Sequence, residues 1–426
     1  MADQASLAEI ASCVSGYDPN ALPVAQAQEF IARLVPRVQA VEMLPIRSAL
    51  GRVLAHDIVS PIDVPSHDNS AMDGYALRGS ELGSGDTRLA VAGTGFAGAQ
   101  FDGSVPARHC VRIMTGAVMP AGLDTVVPQE FCRLDGDTVV VPAGVVRSGD
   151  NRRLAGEDLA RGEPALKAGR LLRPADLGMV ASLGLAELPV HRRLRVAFFS
   201  TGDELRSMGE PLPEGCVYDS NRYTIHAMLT RLGVELLDLG VVRDDPVALE
   251  HAFRSAAASA DAVITSGGVS VGEADHTKQV MKRIGDVLFW KIAMRPGRPM
   301  AIGRIATGEH SAILFGLPGN PVAVMVTFYA FVRDALRAMS GATVEPLPML
   351  RAACTEAIRK KPGRTEYQRG IVTHGPAGWQ VKITGSQGSG ILRSMSEANG
   401  LVVLHHDQGN VAAGEAVDVL PFDGLV

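Results

Sequence analysis

The run Leu194-Arg-Val-Ala-Phe-Phe-Ser-Thr-Gly-Asp-Glu-Leu205 decides the fold. Its apolar first half, with paired phenylalanines, makes a short buried strand, and Ser200-Thr-Gly202 stops that strand in a turn. Helix and strand patterns then alternate. Tyr223 to Leu232 has helical spacing closed by Gly233, and Val234 to Val241 reads as a strand. Asp245-Pro246 supplies the cap and first turn of a helix reaching Ala258. Asp261 to Thr265 is a buried strand entering a glycine loop, and Thr277 to Ile284 is a helix. The apolar run Ala312-Ile-Leu-Phe315 precedes a long helix over Pro321 to Met339. Such βα alternation predicts a mostly parallel sheet with helices on both faces, an α/β domain over 191–342.

Upstream, Phe30, Ile31, Leu34 and Val35 recur at helical spacing behind Pro23, predicting an amphipathic helix between Leu22 and Val41. Between Val53 and Pro142 the pattern changes to short β-branched runs such as Cys110-Val-Arg-Ile-Met114 and Thr138-Val-Val-Val141, separated by Gly, Asp and Pro. This predicts a β-rich insertion over 53–149. Arg173 to Leu185 reads as a further helix that packs on the first, making 1–52 and 150–190 one discontinuous domain. From Pro346 onward short strands and glycine turns return, so 343–426 is read as a terminal barrel or sandwich. The chain is expected to be multidomain, α/β plus β.

The 426 residues are 46% apolar, enough for several cores, and 20% charged. With 41 Lys and Arg against 46 Asp and Glu, the net charge of -5 gives no global attraction for nucleic acid or an anionic membrane. Any anion site must therefore be local. The opening MADQASLAEI lacks the basic and apolar regions of a signal peptide, and the most apolar stretch, Pro321 to Val332, falls short of the ~18 residues that span a bilayer. A soluble cytoplasmic protein is expected. The five cysteines are scattered and odd in number, without a C-x-x-C pair, which argues against disulfides and a cysteine zinc site. His405-His406, the one close histidine pair, is read as surface residues.

Chemistry is concentrated in loops leaving the carboxyl ends of the α/β strands, where open parallel sheets bind ligands. They are Ser200-Thr-Gly-Asp-Glu-Leu205, Thr265-Ser-Gly-Gly-Val-Ser-Val-Gly-Glu-Ala-Asp-His-Thr-Lys278 and Gly316-Leu-Pro-Gly-Asn-Pro321. Glycines turn backbone N–H groups toward a phosphate, hydroxyls add donors, and the following helix adds a positive dipole. One Ser-Gly-Gly alone would be an ordinary turn; glycine loops on several strand ends make a site. None matches the nucleotide P-loop or the dinucleotide fingerprint. Glu204, Glu273 and Asp275 would repel an anionic ligand unless a divalent cation bridged them, which points to Mg²⁺. In Lys291-Ile-Ala-Met-Arg-Pro-Gly-Arg-Pro299, Lys291 and Arg295 share a face if the run is a strand, and Arg298 follows a Pro-Gly turn. The neighbours Trp290, Ile292 and Met300 predict half-buried cations in need of anionic partners. Polar residues also crowd 63–76, 112–117 and 149–158, where self-capping loops and a site weigh about equally.

The motifs DNSAMDGYA (68–76), RIMTGA (112–117), STGDEL (200–205), SGGVSVGEAD (266–275) and GLPGNP (316–321) resemble, in order and spacing, the signatures of the molybdopterin molybdenumtransferases, the family of MoeA and the gephyrin E domain. The resemblance implies an L-shaped subunit with an elongated discontinuous domain, a β-rich insertion, a molybdopterin-binding α/β domain and a C-terminal β-barrel. It also implies a homodimer whose cleft lies between the α/β domain of one subunit and the insertion of the other. The implied reaction inserts molybdate into adenylylated molybdopterin, releases AMP and uses Mg²⁺.

Matching by motif, the resemblance assigns Asp68, Thr115, Asp158, Glu204, Asp244 and Asp275 to catalysis, with Glu204 and Asp275 as metal or acid–base candidates. Substrate binding falls to Ser266, Gly267, Gly268, Ser270, Lys291, Arg295, Arg298, Pro318, Gly319, Asn320, Pro321, Arg369 and Ser389. Arg295 and Arg298 stand where the family often has lysine, keeping charge and adding a planar fork. His67 replaces the aromatic residue commonly seen there. No segment resembles a fused adenylyltransferase, so a separate protein is expected to supply the adenylylated substrate. The competing readings are a gephyrin-like dimeric scaffold and a molybdopterin adenylyltransferase, whose α/β domain would not require the insertion.

Overall fold

The computed structural model describes residues 6–269, 276–308 and 310–423. They form two compact units, one of 1–42, 51–55 and 190–426, the other of 43–50 and 56–189.

The larger unit is built on a six-stranded sheet in the order Glu235–Val242, Arg195–Thr201, Ala262–Ser266, His310–Leu317, Pro299–Thr307, Gly285–Lys291. The first four strands run parallel; the last two continue antiparallel. The sheet is therefore mixed, with the expected parallel part running from one edge through four of its six strands. Period-two alternation sends neighbouring side chains to opposite faces. Phe198, Ile264 and Phe315 join one apolar core with the helices Val24–Leu34 and Ser220–Leu232. Phe199, Val263 and Leu314 join the other with Pro246–Ser259 and His276–Ile284. Helix boundaries follow local chemistry. Asp245 accepts from Val247 N and Ala248 N at 3.1 and 2.9 Å, and Gly233 closes its helix at φ 72°.

The sequence places the helix between Leu22 and Val41 against that at 173–185, and the structure differs. Val24–Leu34 packs on the helical run that ends at Met339. Pro174–Ser182 belongs to the other unit, against Ile46–Ser48 and Pro164–Leu166. The physical reason is the apolar stripe Ala27, Phe30, Ile31 and Leu34, which completes the larger core and sets Phe30 edge-on to Trp290 at 5.1 Å. The long helix from Pro321 is continuous but takes a wide π turn over Phe328–Val332.

The C-terminal strands Leu350–Cys354, Thr365–Gly375, Gly378–Ile383, Gly400–Leu404 and Ala416–Pro421 close into a barrel, because Thr365–Gly375 pairs with both 378–383 and 400–404. Val372, Val381, Val402, Val417 and Val419 fill its interior. The short strand Met294–Arg295 adds to its outside, parallel to Thr365 and Glu366.

In the smaller unit a six-stranded sheet runs Thr125–Pro128, Gly74–Leu77, His109–Ile113, Thr87–Gly95, Thr138–Val141, Arg133–Asp135. Tyr75, Leu89, Cys110, Val127 and Val139 form one of its cores. The ribbon of Asn69–Ser70 with Arg152–Arg153 joins two polar loops. All five cysteines are free thiols. Among the described residues no helix is long and apolar enough to cross a membrane.

Candidate active site

Parallel register aligns the strand ends of the larger unit, pairing Ser200 with Ser266 and Ser266 with Leu317. The loops that follow are thereby set side by side. Gly267 N donates to Leu317 O at 3.1 Å. Gly267 and Gly268 both have left-handed backbone, φ 94° and 66°. A Cβ on Gly267 would lie 2.5 Å from Thr201 O, and one on Gly268 only 2.4 Å from Thr277 Cβ. Only glycine fits this double turn. Asn221, in the first turn of its helix, donates to Ser266 Oγ at 2.8 Å and to Gly319 O at 2.7 Å. Beside these, Thr277 Oγ1 donates to Asp244 Oδ1 at 3.4 Å, and Asp244 N donates to Asp203 Oδ1 at 3.3 Å. Glu204 is exposed and folds its carboxylate back over Gly202. A cleft of about 950 Å³ opens beside Gly202 and Asp203 and is lined also by Arg206, Arg222 and Arg243. The structure thus brings together Glu204, Asp244, Ser266, Gly267, Gly268 and Gly319. Ser270, Glu273 and Asp275 lie outside the described residues.

The loop from Gly316 enters its helix through Pro318, Asn320 and Pro321. Pro318 is buried and Asn320 exposed at the cap position, with no side-chain cap bond. Ser389 reaches this point through its backbone, its O accepting from Val322 N at 3.0 Å. Arg369 is 1% exposed. It donates to Ser394 Oγ at 3.0 Å, to Gly388 O at 3.0 Å and to Ser386 O at 3.4 Å. Burial, reinforced by the charge of Arg295, pushes its pKa down to about 10. It remains a cation at neutral pH, with its donors spent on the segment that delivers Ser389.

The three cations of 291–298 are exposed, where the sequence predicts half-burial. Lys291 ends its strand, and Arg295 lies on the separate strand against the barrel, so the two do not share one strand face. The cause is a turn in the intervening backbone. Ile292 N donates to Arg298 O at 2.7 Å, and Gly297 sits at φ 90°. The apolar neighbours Trp290, Ile292 and Met300 are buried while the charges point outward.

In the smaller unit three polar loops converge. Asp68 Oδ1 accepts from Ala155 N at 2.8 Å, and its Oδ2 lies 3.7 Å from Arg152 Nη1. Met119 N donates to Asp68 O at 2.9 Å, and Gly116 N to Ser70 O at 2.8 Å. Thr115 gives both its N–H and its hydroxyl to Asp73 Oδ1 at 2.7 Å. These two bonds hold the Asp73 carboxyl below its ordinary value. Asp158 is exposed further along the loop, tied by its N–H to Val64 O at 3.0 Å. Asp68, Thr115 and Asp158 thus belong to the smaller unit, and the remaining candidates to the larger.

Sequence reasoning missed Asn221 and the role of Asp73. Asp73 lies inside a quoted motif, but its contact with Thr115 spans 42 residues. Asn221 looks like an ordinary residue of a helix start, and no local signal marks it.

Residues 22–184 match the MoeA N-terminal region (domain I and II), 197–338 the probable molybdopterin binding domain and 351–422 the MoeA C-terminal region (domain IV). The chain is 42% identical over 407 residues to a molybdopterin molybdenumtransferase of Haemophilus influenzae, covering 95% of this chain and 100% of the relative. It is 36% identical to molybdopterin molybdenumtransferase 2 of Mycobacterium tuberculosis, over 93% and 98% of the two chains. A crystal structure of the molybdopterin biosynthesis moeA protein from Pyrococcus horikoshii superposes with a TM-score of 0.81 at 28% identity, over 95% of this chain and 100% of that one. With the three regions in order along nearly its whole length, the chain belongs to the MoeA family of molybdopterin molybdenumtransferases.

Proposed function

We propose that this chain is a molybdopterin molybdenumtransferase that inserts molybdate into adenylylated molybdopterin and releases AMP, working in the cytoplasm. The observation that carries this reading is the Gly267-Gly268 double turn, joined through Ser266 and Asn221 to the Gly319 turn at the carboxyl ends of parallel strands. Such a turn presents N–H groups and a hydroxyl to a phosphate-bearing ligand at small cost in reorganisation. Outward-facing Lys291, Arg295 and Arg298 supply charge for oxyanions. Ser270, read from the sequence, adds a further hydroxyl. Arg369 holds the segment that sets Ser389 at the mouth of the Pro321 helix.

Among the described residues no group of three or more His, Cys, Asp or Glu is arranged to hold a metal. Magnesium needs less from a protein, commonly one or two carboxylates completed by phosphate and water. Glu204 and Asp244 offer hard oxygen donors on neighbouring strand ends, so the donor chemistry fits; from sequence, Asp275 is a further candidate with Glu204. When bound, the ion would neutralise phosphate charge and polarise the adenylate bond toward water. Asp68, Thr115 and Asp158 serve the same reaction from the smaller unit, and we propose a homodimer in which they face the strand-end loops of the partner. A separate adenylyltransferase would supply the substrate.

The test is to incubate the pure protein with adenylylated molybdopterin, Mg²⁺ and molybdate, then to measure AMP and the reactivation of a molybdenum-free apoenzyme. Molybdate-dependent release of AMP with active cofactor supports the reading. Absence of either product overturns it.

A further inference from the structure

Five buried polar atoms without a hydrogen-bond partner gather where the strands Arg195–Thr201 and Ala262–Ser266 end and the helix Ser220–Leu232 begins. They are Ser200 Oγ, Thr201 Oγ1, Thr265 Oγ1, Asp219 Oδ2 and Asn221 Oδ1. Unsatisfied buried polar groups cost stability, and their accumulation marks a place where structure serves another end. Of these residues Asn221 makes the most informative contacts. It is 8% exposed, and its single amide nitrogen reaches both Ser266 Oγ and Gly319 O.

Those two partners begin different loops. Ser266 ends the strand that enters the glycine double turn, and Gly319 lies in the turn before Pro321. Another bond joins the same pair of segments, Gly267 N to Leu317 O. It is backbone to backbone and lies at the strand ends. Asn221 reaches past it to the carbonyl of Gly319, from a third element whose start is fixed by the Asp219 cap on Arg222 N at 3.1 Å. Its amide sets the spacing between the two turns, and its own oxygen receives nothing in return.

We propose that Asn221 is a positioning residue of the transferase reaction, which locks the Ser266-Gly267-Gly268 turn to the Gly319 turn so that both present their N–H groups to one phosphate-bearing pterin. This rests on the function proposed above. The consequence falls on substrate capture. Loosening the two turns weakens the hold on the pterin nucleotide and leaves the exposed cations at 291–298 as they were.

The test compares Asn221→Asp and Asn221→Ala with wild type and with Ser266→Ala. Asn221→Asp keeps the side-chain size and removes both donated bonds; Ser266→Ala removes one and disturbs the fold least. For each, the melting midpoint is measured, with AMP release titrated separately against adenylylated molybdopterin and against molybdate. The expected result is a KM for the pterin nucleotide raised tenfold or more in both Asn221 variants and severalfold in Ser266→Ala. Molybdate half-saturation should stay within twofold in every variant. A Ser266→Ala protein with unchanged KM, or losses that fall equally on molybdate and track a fallen melting midpoint, would overturn the role. Failure of wild type to release AMP would instead strike the function on which it rests.

Discussion

At the scale of single residues, the site separates groups that touch solvent from groups that hold others in place. Arg295 is exposed and, among the described residues, makes no ion pair, while Arg369 next to it is buried and fully engaged. Charge-assisted contacts are typically worth about 1.5–3 kcal/mol, so Arg295→Ala should raise molybdate half-saturation roughly tenfold or more. Arg295→Lys keeps the charge and should lose less; titrating AMP release against molybdate checks both. Gly268→Ala meets a different obstacle. Its backbone lies at φ 66°, and the added carbon would overlap Thr277. Strain of about 1–3 kcal/mol should lower the melting midpoint, and the displaced Thr277, which bonds Asp244, should also lower turnover. The glycine pair was legible in the sequence because glycine names its own backbone. Asn221 was not, since its partner Gly319 stands 98 residues away and an asparagine at a helix start has a plainer local explanation.

At the scale of elements, Asp261 shows how strand starts are anchored. It accepts a two-pronged bond from Arg192 at 2.7 and 2.8 Å and another from Arg195 N at 2.8 Å. Burial raises its pKa, but the Arg192 fork and the Arg195 N–H outweigh that and hold it below the ordinary value. A carboxyl lowered on folding contributes stability above its unfolded pKa of about 3.9 and loses it as pH falls through the folded one. Asp261→Asn should therefore be less stable than wild type near neutrality, by about 1–3 kcal/mol, with the gap closing below about pH 4. Thermal scans across pH measure it. The strands and helices of this domain were readable because Phe198–Phe199, Val263–Ile264 and Leu314–Phe315 each serve both faces of the sheet. The cations of 291–298 were expected half-buried and are exposed, because the closing bond from Ile292 to Arg298 leaves no trace in hydrophobic periodicity. Two-residue ribbons such as Asn69–Ser70 are too short to show any period.

At the scale of the whole molecule, the candidates divide between two compact units. The proposed dimer makes a prediction that does not depend on where those units lie within one chain. Asp68→Ala and Asp275→Ala proteins should each be inactive, and allowing their subunits to exchange should recover AMP release. Verified heterodimers without activity would favour a site complete in one chain. The division also has a temporal side. The helix Val24–Leu34 is made early, yet it packs on the helical run that begins at Pro321, roughly 290 residues later. Ribosomes add about 5–20 residues per second, so Phe30 and Ile31 wait on the order of tens of seconds for the surface that covers them. Over that interval the nascent chain carries an uncovered greasy stripe, and a trigger-type chaperone that binds such stripes should protect full-length yield most before residue 321 has emerged.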